Sequence, residues 1–231
     1  MRCWPVRERK AAIPVFLLVQ TAAYGTFLYL DAIGEGTGAT AIKYLSILLC
    51  LLFTLFSAAG GGDRLVAGAM ALTLGADTFL LLLNRDYGAG VLLFCLVQGL
   101  YLARILRENG GRGHWTVRLL LTVGALALLA ALGILTPLNA LALAYFSNFL
   151  CNTIQSWALP GRRLRLFSLG LTLFLCCDIC VGVFNSPGIA PGWLERFSGV
   201  GMWLFYLPGQ VLIALSALPD AVLRGHDYEN Q

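Results

Sequence analysis

Charge is scarce in this sequence: Asp, Glu, Lys and Arg make up 12% of its 231 residues, about half the share of an average soluble domain. With 58% hydrophobic residues and a mean hydropathy of +0.78, a chain of this length does not fold as a water-soluble globule. Histidine is nearly missing. The two present, His114 and His226, lie outside the apolar runs, so no set of imidazoles is available at membrane depth to hold the zinc of an intramembrane metallohydrolase. Long polar stretches are lacking as well. No segment between apolar runs exceeds roughly fifteen residues, which leaves no room for a soluble catalytic domain, and any chemistry has to take place among helices. Seven cysteines occur, at Cys3, Cys50, Cys95, Cys151, Cys176, Cys177 and Cys180, all but Cys3 inside apolar runs. They imply no disulfide framework, and the CCDIC cluster reads as small apolar residues rather than a soft-metal site. Neither a metal nor a cofactor is expected.

What the sequence does contain is a series of windows near the roughly 20 residues that a helix needs to cross the hydrocarbon core. Eight are found, at Ala12 to Asp31, Gly38 to Ser57, Leu65 to Asn84, Ala89 to Leu106, Leu119 to Leu135, Leu138 to Trp157, Leu166 to Phe184 and Val200 to Leu218. Turn-forming stretches such as GEGTG, AAGGGD, RDYG, ENGGRGH and NSPGIAPG separate them. RERK before the first window resembles the start of a secretory signal, but the run is too long and a second span follows at once. The expected fold is all-α, a polytopic membrane protein with a bundle of eight transmembrane helices. Residues 1–11 form a basic N-terminus, 12–218 the transmembrane domain and 219–231 a C-terminal tail.

Basic residues set the orientation, because positively charged loops are retained on the cytoplasmic side. Arg2, Arg7, Arg9, Lys10, Arg64, Arg104, Arg107, Arg112, Arg118, Arg162, Arg163, Arg165 and Arg224 fall on one side, with only Arg85 and Arg196 opposite. Both termini are therefore expected to be cytoplasmic, in a multi-pass protein of the cell membrane. The same asymmetry accounts for the net charge of +4, so the expected partners are membrane lipids rather than nucleic acid.

A shift of 101 residues superposes Arg64, Leu65, Asp77 and Asn84 on Arg165, Leu166, Asp178 and Asn185, a weak parallel 4+4 repeat. Each aspartate follows the first apolar residue of its span by twelve positions. Both helices run outward, so Asp77 and Asp178 are predicted at one depth, roughly 10 Å below the outer ends. Counting inward from the outer ends of the even-numbered spans brings Lys43, Tyr145, Gln98, Tyr206 and Gln210 near that level. Tyr206 with Gln210, Gln98 with Tyr101, and Tyr145 with Asn148, Asn152 and Gln155 follow helical spacing and form polar stripes. A polar pocket opening outward is the simplest arrangement of these groups.

Intramembrane carboxylates face the bundle interior and are functional by default, since a lipid-facing one costs about 3 kcal/mol or more. A purely structural alternative stands beside this: Lys43 and Asp77 as a buried ion pair, and Asp178 bonded to Tyr or Asn as helix glue. Lys43 either serves the pocket or snorkels to the interface. The Asn and Gln stripes either line a ligand or join helices. Two carboxylates in one apolar site divide their roles, one protonated and one ionised. That pairing suits cleavage through an oxocarbenium-like centre, and it suits proton-coupled transport equally.

The stretches AIKYLSILLCLLFTLF, GADTFLLLLNRDYGAGVLLFCLVQGLYLARI, FLCCDICVGVFN and FYLPGQVLIALS, in this order and spacing, resemble the YhhN-type lysoplasmalogenase-like family of eight-span membrane proteins. The resemblance runs from about Lys43 to Ser216. It implies hydrolysis of the vinyl ether bond of a lysoplasmalogen, a lysophospholipid, to a fatty aldehyde and a glycerophospho-headgroup. The family's intramembrane aspartates fall on Asp77 and Asp178, implied to be catalytic. Lys43, Gln98, Tyr101, Tyr145, Asn148, Tyr206 and Gln210 are the expected supporting or substrate-binding groups. Gln98 replaces a histidine usual in the fourth span, Ala76 and Cys177 replace the small residues that usually precede the aspartates, and Tyr44 stands where a proline commonly follows the lysine. The rival expectations are a proton-coupled transporter of a lipid or small solute, and a non-catalytic lipid-binding protein.

Overall fold

A lipid environment offers backbone N–H and C=O groups no partner, so an apolar chain of this kind satisfies them within helices. The computed structural model describes residues 6–188 and 190–224, and among them every regular element is helical. The elements are α1 (Val6–Ala32), α2 (Gly36–Ala59), α3 (Arg64–Asp77) continued by a π-helical segment (Thr78–Leu83), α4 (Tyr87–Glu108), α5 (Trp115–Ala131), α6 (Pro137–Ser156), α7 (Arg162–Phe184), α8 (Gly192–Leu215) and α9 (Asp220–Arg224). Arg2, Cys3 and His226 lie outside the described residues.

Six helices, α1, α2, α3 with its π continuation, α4, α7 and α8, are long and apolar enough to cross a membrane. At 17 residues α5 is shorter, and α6, with 20, carries the stripe of Tyr145, Asn148, Asn152 and Gln155 that dilutes its hydropathy. Arg118 is the buried residue of α5, which packs against α6 alone and turns Leu119, Leu120, Val123 and Leu128 outward.

The closest packing is between α7 and α8, and glycine makes it possible. A Cβ on Gly170 would lie 2.8 Å from the Gly209 carbonyl oxygen and 2.7 Å from Ile213 Cγ1, and one on Gly209 would lie 3.0 Å from the Gly170 carbonyl oxygen. Pro208 has no N–H for the Leu204 carbonyl one turn back. Tyr24 of α1 donates its hydroxyl to that oxygen at 3.3 Å, an instance of a neighbouring helix satisfying a proline-freed carbonyl.

Several expected loop charges are interior. Arg104 is fully buried within α4. It donates from Nη1 to Ser216 Oγ and from Nη2 to the Ser216 carbonyl, each at 2.7 Å. Its Nε approaches Asp63 Oδ2 to 2.9 Å as an ion pair without hydrogen-bond alignment. Asp63 also accepts from Arg107 at 2.5 Å and from the Leu65 N–H at 3.1 Å, so it caps α3. Burial alone would raise the Asp63 carboxyl. The Arg107 hydrogen bond, the Arg104 and Arg107 charges and the Leu65 N–H outweigh it and hold that carboxyl below its usual value. The Asp63 N–H donates to the Ala217 carbonyl at 2.8 Å, which fixes the start of α3 against the end of α8.

Candidate functional site

Asp77 ends the α-helical part of α3, and the π-helical segment begins at the next residue. The apolar window Leu65 to Asn84 predicts one regular helix. The structure instead inserts a wider turn, a feature that recurs at functional sites because it re-aims the side chains around it. Thr78 donates to the Leu74 carbonyl at 2.8 Å and its hydroxyl lies 3.0 Å from that of Tyr44. Tyr44 and Tyr145 are themselves related by the 101-residue shift, a further correspondence in the repeat.

Each aspartate receives a tyrosine hydroxyl from a different helix. Tyr206 of α8 donates to Asp77 Oδ2 at 2.7 Å, and Tyr145 of α6 donates to Asp178 Oδ2 at 2.5 Å. Asp77 is buried and Asp178 partly so. The two pairs meet through a cluster of rings. Phe174, one turn before Asp178, has its ring centroid 5.4 Å from Tyr206, 4.9 Å from Phe149 and 5.6 Å from Phe94. Phe149 and Phe94 in turn lie 5.8 and 6.0 Å from Tyr145. Cys177 is within electrostatic reach of both carboxylates, as is the Tyr206 hydroxyl. The arrangement therefore combines two acids, two phenols and an aromatic wall in the interior of the bundle.

Lys43 is paired with neither aspartate of the site. Its Nζ lies 2.7 Å from Asp31 Oδ2 at the end of α1, and 4.4 and 5.2 Å from the ring centroids of Trp203 and Phe27. The ion pair with Asp77 does not form, because Tyr206 occupies that carboxylate while Asp31 and two aromatic faces hold the ammonium. Trp203 links this cage to the aspartates, with its ring 5.9 Å from that of Tyr206. In the sequence Asp31 sits at the end of an apolar window, where an acid reads as a boundary.

Asn148 belongs elsewhere. Its side-chain and backbone oxygens accept from Arg118 Nη1, and Arg118 Nη2 donates to Asn152 at 2.8 Å and to Gln155 at 3.0 Å. The α6 stripe thus divides: Tyr145 faces Asp178, whereas Asn148, Asn152 and Gln155 accept hydrogen bonds from a buried guanidinium. Asn152 also donates from Nδ2 to the Gln98 backbone and side-chain oxygens, each at 2.9 Å. Gln98, Tyr101 and Gln210 are fully buried, and the Gln98 amide nitrogen, the Tyr101 hydroxyl and both Gln210 amide atoms have no protein partner.

Two clefts open at the arginine-rich end and contain none of the predicted site residues. One of about 520 Å³ is lined by Arg112, His114, Val117, Leu121 and Ile154 among others, and one of about 530 Å³ by Asp63, Arg107, Glu108 and Arg163 among others.

Comparison with known proteins returns one relationship. The sequence model of the YhhN family matches residues 38–217, from the start of α2 to just past the end of α8. No curated protein and no solved structure matches the chain. The matched region contains Asp77, Asp178 and both of their tyrosine partners, while α1 with Asp31 precedes it.

Proposed function

This chain belongs to the YhhN family, and from that membership we propose that it is an intramembrane hydrolase, placed in the cell membrane, that cleaves the vinyl ether bond of a lysoplasmalogen. The observation that carries the reading is the pair of aspartates, each fixed by a tyrosine hydroxyl and joined through one aromatic cluster. A reaction that protonates carbon and passes through a cation calls for an acid, an anion and a dry, polarisable wall.

One aspartate, in its protonated form, gives its proton to the β-carbon of the enol ether, and the double-bond electrons form the new C–H bond. The oxocarbenium left at the α-carbon is stabilised by the second, ionised carboxylate and by the faces of Phe94, Phe149 and Phe174. The second carboxylate then takes a proton from water as the water oxygen bonds to that carbon. The hemiacetal breaks its bond to the glycerol oxygen, its hydroxyl proton passing to the departing alcohol, and aldehyde is released. One water is consumed, and proton return between the two acids resets the site. Gln98 cannot relay a proton as the usual histidine would, so in this scheme it contributes hydrogen bonds only.

The test is aldehyde release from lysoplasmenyl-ethanolamine by purified protein in detergent. Asp77→Asn and Asp178→Asn are each expected to lower the rate by about 100-fold or more. Wild-type rates from both variants would overturn the mechanism. A second reading, a proton-linked transporter, draws on the π-helical interruption at Asp77 and on Pro208 within α8. Solute flux in proteoliposomes that follows a pH gradient, with no aldehyde formed, would favour it.

A further inference from the structure

Buried polar atoms without partners are rare, because each forfeits its hydration on folding. Among the described residues eight side-chain atoms are of this kind, and five of them fall on four side chains of three helices: Thr73 Oγ1 on α3, Gln98 Nε2 and the Tyr101 hydroxyl on α4, and both amide atoms of Gln210 on α8. All four residues are fully buried.

The register of the helices brings them to one depth. α3 and α8 run antiparallel, anchored near one end by Tyr206 on Asp77 and at the other by the Asp63 N–H on the Ala217 carbonyl. Thr73 lies one turn from Asp77 and Gln210 one turn from Tyr206, both toward the arginine-rich end, so both lie about 6 Å below the carboxylate. α4 and α8 run parallel, and Arg104 binds Ser216 across an offset of 112 residues. The same offset sets Gln98 level with Gln210. Tyr101, one turn further along α4, has its hydroxyl near that of Thr73, though the two do not meet the geometry of a hydrogen bond. Arg104 follows on α4, held by Ser216 and Asp63, and Asp63 lines the 530 Å³ cleft.

We propose that Thr73, Gln98, Tyr101 and Gln210 enclose an internal water site, set between Asp77 and the Arg104–Asp63 pair on the side of the arginine-rich cleft. The chemistry matches water rather than lipid or metal. The groups are neutral donors and acceptors, come from three helices at one depth, and offer the two to four partners that a buried water requires. Carboxylates and thiolates that would hold a cation are not among them. In the hydrolase scheme this site delivers the attacking water to Asp77 from the end opposite the lipid headgroup. That role rests on the hydrolase reading; the hydration does not.

Radiolytic hydroxyl footprinting of the wild-type protein in nanodiscs tests the hydration directly. Radicals are generated from water in place, so Tyr101 is expected to be oxidised about tenfold faster than Phe149, which is equally buried but lined by rings. Tyr101 oxidised no faster than Phe149 would overturn the water site. In the double variant Thr73→Val, Gln210→Leu, the Tyr101 rate is expected to fall to that of Phe149; an unchanged rate would remove those two residues from the site. For the delivery role, Gln210→Leu is expected to lower kcat for aldehyde release about tenfold while KM is unchanged. Fast Tyr101 labelling with wild-type kcat in Gln210→Leu would leave the water site standing and reject its delivery role. No aldehyde from the wild-type protein would reject the hydrolase reading alone.

Discussion

The Tyr206 hydroxyl reaches Asp77 Oδ2 at 2.7 Å, tying α8 to α3 where α3 gives way to its π-helical turn. With Asp77 buried, that phenol is a donor the carboxyl group cannot replace from solvent, and a charge-assisted one when the group is ionised. Tyr206→Phe keeps the ring and its contact with Phe174 while removing the donor. Aldehyde release is expected to fall about tenfold to a hundredfold, the effect of losing a hydrogen bond to a charged group, with the folded yield in detergent unchanged. Tyr145→Phe provides the matching test at Asp178, and a variant with full activity would show that its phenol is dispensable.

The crossing of α7 and α8 depends on the missing side chain of Gly170. Since a methyl there would meet the Gly209 carbonyl at 2.8 Å and Ile213 Cγ1 at 2.7 Å, Gly170→Ala forces the helices apart. A loss of about 1–3 kcal/mol is expected from such overpacking, read as a lower melting temperature in detergent. Because α8 carries Tyr206, activity should fall with it. Gly182→Ala, where a methyl meets nothing within 4 Å, is the control and should melt like wild type.

Asp63 is the titrating anchor of the arginine-rich end. Its carboxyl is held below the usual value, so its contribution to stability is present above the unfolded pKa of about 3.9 and is lost as the pH falls through the lower folded value. Wild-type melting temperature should therefore show an acid-side fall below about pH 4 to which this group contributes. Asp63→Asn strips Arg104 of its counter-charge in the interior, and about 3–5 kcal/mol should be lost at neutral pH. The variant's stability should also lack the Asp63 part of the acid-side fall, which pH-dependent melting of both proteins would resolve.

Lys43 and Asp31 are expected to act as a unit. A double-mutant cycle of Lys43→Met and Asp31→Asn should give a coupling of about 1 kcal/mol, modest because Asp31 is 38% exposed. Lys43→Met retains an unbranched chain against Trp203 and Phe27, so its fold should survive. Additive effects in the cycle would show that the 2.7 Å contact carries no energy.

Much of this architecture was readable in advance because it depends on composition and period. Scarce charge and recurrent apolar windows sufficed for an all-helical membrane chain, and each window finds its helix, with α5 and α6 the two that fall short of spanning by length or hydropathy. Helical spacing also grouped Asn148, Asn152 and Gln155 on the face that Arg118 meets, although Tyr145, placed with them, turns to Asp178 instead. The partners of those faces were another matter. A polar residue in an apolar helix announces that it is buried, but its periodicity carries no information about which neighbouring helix turns toward it.

The positions that escaped the sequence reading share that cause. Asp63 and Arg104 resembled loop charges, yet the crossing of α3, α4 and α8 encloses them. Asp31 looked like the end of a span, yet α1 packs so that it claims Lys43. The π-helical turn after Asp77 leaves no mark in the residue pattern of TFLLLL; it is set by what surrounds it, including the Tyr44 hydroxyl on Thr78. Hydrophobic patterning is a local property of each segment and so is written along the chain. Pairing of phenol with carboxylate, or guanidinium with its counter-charge, is settled by helix crossings and depths that exist once the whole bundle has assembled.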